Sequence, residues 1–377
     1  MLSAGAPEPP LPLSHHILAV HLSQRDARKP GIGNAVMRDA MNAKLCALAI
    51  LLTVVATVPA DAPARTTASP TLGPARTGTV VKELRFGQTR LHVSFVPSEF
   101  RLSEQDFYDW VLRSARATAT FFGRFPVAEV RISLEATSGA YIGDGVAWAS
   151  PDSRIRIEVG RKITARTLKG DSTLVHEMTH LGFPDLDEAH LWLHEGIATY
   201  VEAIARAQAG ETTPAAVWAH FVEEMPQGLP ERGDQGLHDT ANVDRRYWGG
   251  AMFCLMADVE IRRRTENRFG LKHALRAVLE AGGTLKHTWE IERVLAIADR
   301  AVGVPVLSEL FPTWKDKSVA PDLDRLWAEL GVRKVSEAVR LVDSAPLAAV
   351  RRAITEPPAR PMLLVGPSLV RETTLSR

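Results

Sequence analysis

Five consecutive residues, His176-Glu177-Met178-Thr179-His180, set two imidazoles four positions apart with a carboxylate directly after the first. On a helix over 172–182 that spacing stacks His176 and His180 on one face, one turn from each other. Two neutral imidazoles so arranged, with one carboxylate from a neighbouring helix, make a three-ligand zinc site whose fourth position stays open for water. The expected third ligand is Glu195, fifteen positions after His180 in Trp192-Leu193-His194-Glu195-Gly196. Glu177 is rotated one residue away from the histidines and cannot share the ion with them. It flanks the open position instead, where it can take a proton from activated water. The chemistry is hydrolysis of a carbonyl compound, foremost a peptide bond. One Zn2+ per chain is expected, with Co2+ or Mn2+ able to replace it in vitro.

Other ligands lie close in sequence: His190, His194, Asp185 and Asp187. The HExxHxxGxxH continuation fails, because Phe183 and Leu186 stand where it needs glycine and histidine. His194 adjoins Glu195, points elsewhere on a helix and is expected to line the cleft as a substrate contact. Thr199 and Glu202, one and two turns after Glu195, are the expected hydrogen-bond supports for the histidines.

The stretch Trp192-Leu193-His194-Glu195-Gly196-Ile197-Ala198-Thr199-Tyr200 resembles the WLxEGxAxY segment of gluzincin metallopeptidases, of the aminopeptidase N and glycyl aminopeptidase kind. Arg246-Tyr247-Trp248-Gly249-Gly250-Ala251 is similar to their YxKGA element, and Leu255–Arg262 is like the glycyl aminopeptidase group. The resemblance covers about residues 135–300. It implies zinc on His176, His180 and Glu195, Glu177 as general base, and Tyr247 as the hydrogen-bond donor to the oxyanion. It also implies a thermolysin-like zincin fold. Two departures stand out. The lysine of YxKGA is Gly249, and the GAMEN-type segment that grips a substrate's free amino terminus is missing. The corresponding stretch, Gly139–Ala149, holds no glutamate, only Asp144. It can still offer an edge strand to an extended peptide through its backbone. Gly143, Asp144 and Gly145 are its candidate substrate contacts. Cleavage at chain ends and within chains both stay open.

The elements that must position these groups follow from periodicity. Val80–Phe86 and Thr89–Val96 alternate as a hairpin around Gly87-Gln88, and Phe107, Trp110, Val111, Ala115, Thr118 and Phe122 mark a helix over 104–122. Val127–Glu135 and Ala147–Val159 read as strands around a glycine-rich Ser138–Gly145 link. Asp171 or Ser172 should cap the histidine helix, which Gly182 and Pro184 end. Helices are expected at Leu191–Ala209, Trp248–Arg264, Leu271–Leu279, Thr288–Val302, Leu323–Leu330 and Val335–Asp343. The fold class is therefore α+β, with a mixed sheet plus helix over 79–170, a mostly helical zinc-binding part over 171–345, and the active site at their junction.

The chain has 377 residues, 45% hydrophobic and 24% charged, with a formal net charge of +1. These are ordinary globular values, and no bulk charge invites a nucleic-acid partner. Two cysteines, Cys46 and Cys254, exclude a disulfide scaffold and a cysteine-ligated zinc site. Cys254 lies in an apolar run and is expected as a buried thiol. Residues 37–62 have the shape of a signal peptide, with a basic lead, an apolar run over 45–58 too short to span comfortably, and small residues at Pro59-Ala60-Asp61-Ala62. Residues 1–36 are then an N-terminal extension from a wrongly chosen start, 63–78 a linker, and 356–377 a flexible tail. The expectation is a secreted or periplasmic protein without stable membrane insertion once cleaved, the alternative being an anchor through 45–58. The expected partner is a peptide or protein substrate. Rival readings are a zinc hydrolase acting on a non-peptide compound and a non-catalytic peptide-binding domain that retains the fold.

Overall fold

In the computed structural model, residues 78–336 and 338–357 are described, together with the strand Leu369–Glu372. The extension, the signal-like segment, Cys46 and nearly all of the linker lie outside the described residues. The hairpin forms as its alternation predicts. β1 (Val80–Phe86) and β2 (Thr89–Phe95) pair antiparallel from Val80↔Phe95 to Phe86↔Thr89. Gly87 turns between them at φ 59, where a residue without Cβ carries no steric cost.

Helix α1 (Glu104–Phe122) starts at Ser103, whose side chain accepts from the Asp106 N–H while Asp106 accepts from the Ser103 N–H. Such a box is worth about 1 kcal/mol. It is followed by β3 (Glu129–Thr137), β4 (Ile142–Trp148) and β5 (Arg154–Gly160). The sheet order is β4-β5-β3-β2-β1-β8, where β8 is Leu369–Glu372. β3 runs parallel to both β2 and β5, and β4 runs antiparallel to β5.

Two differences from the sequence reading matter here. The glycine-rich link is itself a strand, since β4 takes up Ile142–Trp148 and the expected long strand over 147–159 breaks at a cis Ser150-Pro151 bond. Leu369–Glu372, within the expected tail, pairs with β1.

From residue 165 the chain is mostly helical: α2 (Ala165–Gly170), α3 (Thr173–His180), α4 (Leu191–Gln208), α5 (Pro214–Glu224), α6 (Val243–Arg264), α7 (Leu271–Glu280), α8 (Ile291–Val302), α9 (Val306–Asp316), α10 (Leu323–Leu330) and α11 (Ala348–Thr355). The helix expected over Val335–Asp343 is instead a hairpin of β6 (Val332–Val335) and β7 (Ala338–Leu341). Its apolar residues Val332, Val335 and Val339 are β-branched, and Ser336 turns at φ 52, which a helix cannot contain. None of the helices among the described residues is long and apolar enough to cross a membrane.

Two apolar cores share the work. One lies under the sheet and includes Val93, Ile132, Ile157, Phe107 and Trp110. The other fills the helical part with Trp192, Trp218, Trp248, Phe253 and Leu330. Two helices stand between them. α1 gives Ala115 and Ala119 to the first core and Ala117 and Phe121 to the second, while α3 gives Leu174 and Met178 to the first and Val175 to the second. A helix with apolar contacts all round must be buried, and every residue of α3 from Leu174 to His180 is. Truncating Leu174 or Met178 to alanine would cost about 2–5 kcal/mol. Arginines tie the two parts at their helix ends. Arg276 donates to the Thr120 and Phe121 carbonyls at the end of α1, and Arg124 donates to the Leu279 carbonyl near the end of α7.

Candidate metal centre

The histidine helix owes its place to both cores, and the carboxylate helix owes its place to a close helix crossing. At Gly196 of α4 a Cβ would lie 2.2 Å from the Gly250 carbonyl carbon of α6, and at Gly250 one would lie 2.1 Å from the Trp192 oxygen. Two glycines therefore let the backbones touch and bring Glu195 beside Tyr247. Asp258 of α6 holds the same elements together. It accepts from the Tyr200 hydroxyl at 2.9 Å, from Arg262 Nε at 2.7 Å and from the Leu271 N–H at 3.0 Å. Gly249, where the resemblance calls for lysine, lies against Leu237, whose Cδ2 is 2.6 Å from a virtual Cβ, so a side chain there would require Leu237 to shift.

His176, His180 and Glu195 converge. Their ligand atoms all lie within 4.8 Å of one another, and all three residues are buried. Glu195 Oε2 is 3.2 Å from His176 Nε2 and 3.6 Å from His180 Nε2. Ligand atoms of a tetrahedral zinc, each about 2.1 Å from the ion, stand about 3.4 Å apart. The donor set fits a divalent cation on a second count. His180 Nε2 is buried without a hydrogen-bond partner, an expensive state that a cation at this point relieves.

The outer contacts of the two histidines differ. His176 Nδ1 lies 2.8 Å from Glu202 Oε2, and Glu202 Oε1 accepts from the Ser172 hydroxyl at 3.0 Å. Ser172 sits at the N-cap position of α3, as expected, but makes no capping hydrogen bond, its hydroxyl being turned to Glu202. Thr199, the other expected support, has a buried hydroxyl that bonds neither histidine. His180 Nδ1 lies 2.8 Å from His194 Nδ1. His194 is only 2% exposed and is stacked on His180. Helix α4 sets it against Phe183 and His180.

Glu177 is fully buried with neither oxygen hydrogen-bonded, and β4 crosses it so closely that a Cβ on Gly145 would come within 2.6 Å of Glu177 Oε1. Burial pushes its carboxyl up to about 8, against the pull of His176. Burial would lower His176, but the hydrogen bonds its ring donates to Glu195 and Glu202 raise it to about 10. A bound cation would displace that proton. Burial pushes His180 well below the ordinary histidine range. Tyr247 stacks on His176 with ring centres 5.9 Å apart, and burial, with Glu195 and Glu177 near it, raises its phenol far above the usual tyrosine range. It stays a protonated donor. Of the other candidates, Gly143 abuts Glu158 of β5 across a bulge in β4, and Asp144 lies in that bulge. Asp185 pairs with Thr288, and His190 packs on Phe311. Cys254 is a free, buried thiol raised well above its usual range by burial and Asp258.

No protein-family model matches the sequence, and no curated protein matches it. Among solved structures, an aminopeptidase N family protein from Idiomarina loihiensis is similar at 11% identity and a TM-score of 0.54, over 67% of this chain and 49% of that one. An M1 zinc metallopeptidase from Deinococcus radiodurans aligns at 18% identity and a TM-score of 0.44, over 65% of this chain and 53% of that one. The chain spans about half the length of the solved structures it matches. The likeness to the Idiomarina loihiensis protein is one of fold, an α+β arrangement with an N-terminal mixed sheet and a mostly helical C-terminal part.

Proposed function

We propose that this chain is a zinc metallopeptidase of gluzincin type, holding one Zn2+ on His176, His180 and Glu195. The observation that carries the reading is the convergence of those three ligand atoms within 4.8 Å, beside a buried and unpartnered Glu177. Zinc in this position would supply Lewis acidity, polarising a scissile carbonyl and lowering the pKa of water towards about 7. Glu177 takes the proton from the attacking water and returns it to the leaving amine, a role its buried place beside the ligand cluster serves. Tyr247, a neutral donor next to His176, stabilises the oxyanion.

An extended peptide would lie along β4. That strand ends the sheet, and among the described residues its outer edge pairs with no strand. Its edge can pair with a substrate backbone whatever the side chains, and the glycine at 145 keeps the strand close to Glu177. The apolar run over 45–58 and the small residues after it support an extracytoplasmic location, which N-terminal sequencing of the mature protein checks.

The test is digestion of a mixed peptide pool by the full chain, read by mass spectrometry, with and without a chelator and with Glu177→Gln. Cleavage that disappears with chelator and falls by about 10²–10⁴ in the variant is expected. Cleavage indifferent to Glu177→Gln, or none by zinc-loaded wild type, overturns the proposal. The positions of the cuts separate removal of end residues from internal cleavage.

A further inference from the structure

His194 takes no step in the hydrolytic chemistry proposed above, and at 2% exposure it is buried like the metal ligands themselves. Its Nδ1 nevertheless faces His180 Nδ1 at 2.8 Å, with the rings stacked 4.8 Å apart and Phe183 edge-on at 5.6 Å. Two imidazole nitrogens at that distance share one proton. With two N–H groups the hydrogens collide, and with none two lone pairs oppose each other. Which nitrogen donates follows from the other side of His180. Its Nε2, 3.6 Å from Glu195 Oε2, must offer a lone pair to a cation, so the proton of a neutral His180 sits on Nδ1. His180 donates, His194 accepts, and the single proton of His194 is left on Nε2.

We infer that His194 is a positioning residue, a neutral Nε2–H imidazole that locks His180 in the tautomer whose Nε2 is free for the metal. The inference rests on the metal-centre reading above. A ring that accepts at Nδ1 carries at most one proton and is therefore uncharged. The centre is therefore braced unequally. His176 leans on the carboxylate of Glu202, and His180 leans on an uncharged ring. A second outer carboxylate at 194 would add a further negative charge to a pocket that already contains Glu177, Glu195 and Glu202. An imidazole accepts the hydrogen bond without it.

Zinc affinity of the full chain, measured by competition with a chromophoric chelator, tests this. His194→Leu fills similar space without an acceptor and is expected to weaken binding about 10–100-fold. His194→Asn offers an oxygen to the same N–H and is expected to recover most of the loss. Histidine nitrogen NMR of the zinc-loaded wild type is expected to show His194 protonated at Nε2 alone. A His194 protonated at Nδ1, a leucine variant that binds zinc like wild type, or an asparagine variant no better than leucine overturns the inference. Should the leucine variant fail to fold, the wild-type tautomer and the asparagine variant still decide. A wild-type chain that binds no zinc removes the metal-centre reading and this inference together. Normal zinc binding with indifferent His194 variants removes this inference alone.

Discussion

Glu177 carries a conflict between burial and charge that has a measurable consequence. Its carboxyl is raised from 4.5 to about 8, mainly by burial, so the folded protein keeps this proton to a higher pH than the unfolded chain does. The stability it contributes is thus fully present below the unfolded value and is lost as pH rises through about 8. Glu177→Gln mimics the protonated form at every pH. In chelator-treated protein it should raise the melting temperature little near pH 5 and by several degrees near pH 9, the gap widening steadily between. A gap that narrows as pH rises would show that Glu177 is not held in a desolvated place. Tyr247 makes a complementary case. Removing its hydroxyl in Tyr247→Phe leaves the ring on His176 and should lower kcat about 10²–10³-fold with KM little changed. These residues were legible in the sequence because one helical turn dictates the spacing of His176 and His180 and because Glu195 sits in a distinctive local run. The hydrogen bonds of Glu202 and His194 were harder to foresee. Glu202 and Thr199 lie on the same face of α4, and only the crossing of α3 against α4 decides that Glu202 meets His176.

Helix contacts set by missing side chains explain more of the centre than any polar group does. Gly196 and Gly250 read in the sequence as small residues next to the motifs, yet each lies where a Cβ would strike backbone of the other helix. Backbone cannot swing aside as a long side chain can. Gly250→Ala must therefore push α4 and α6 apart, moving Glu195 from the imidazoles. The expected result is a melting temperature lower by on the order of 5 °C and weaker zinc binding, read by calorimetry and chelator competition. Gly170→Ala, at the end of α2 with nothing near its virtual Cβ, should change neither. The same logic accounts for what periodicity could not reveal about β4. Residues 138–145 read as a loop because glycine weakens strand propensity, whereas Gly145 is required where the strand crosses Glu177. The Val335–Asp343 stretch went wrong for the opposite reason. Apolar residues three or four apart satisfy a helical period, but the β-branched run and the turn at Ser336 favour a hairpin.

At the scale of the molecule, the centre lies where the two cores meet, on a helix that belongs to both. α3 packs on the sheet through Leu174 and Met178 and on the helical part through Val175, while Glu195 is fastened to the helical core through α4 and α6. A cation bridging His176, His180 and Glu195 therefore joins groups that must all be in place before it binds, and the unfolded chain offers no such site. Binding to the folded state alone stabilises by about 2.7 kcal/mol when free ion is 100 times Kd. At this chain length that corresponds to roughly 3–5 °C. Zinc-loaded protein should melt higher than chelator-treated protein by that amount, and the difference should grow with the logarithm of free zinc. Because α1, α3, Arg124 and Arg276 tie the sheet to the helices, the sheet and helix signals should shift together. A zinc effect confined to the helical signal would mean that the part holding Glu195 unfolds independently of the sheet. In that event Gly145, on β4, could not be the element that keeps Glu177 in its buried place.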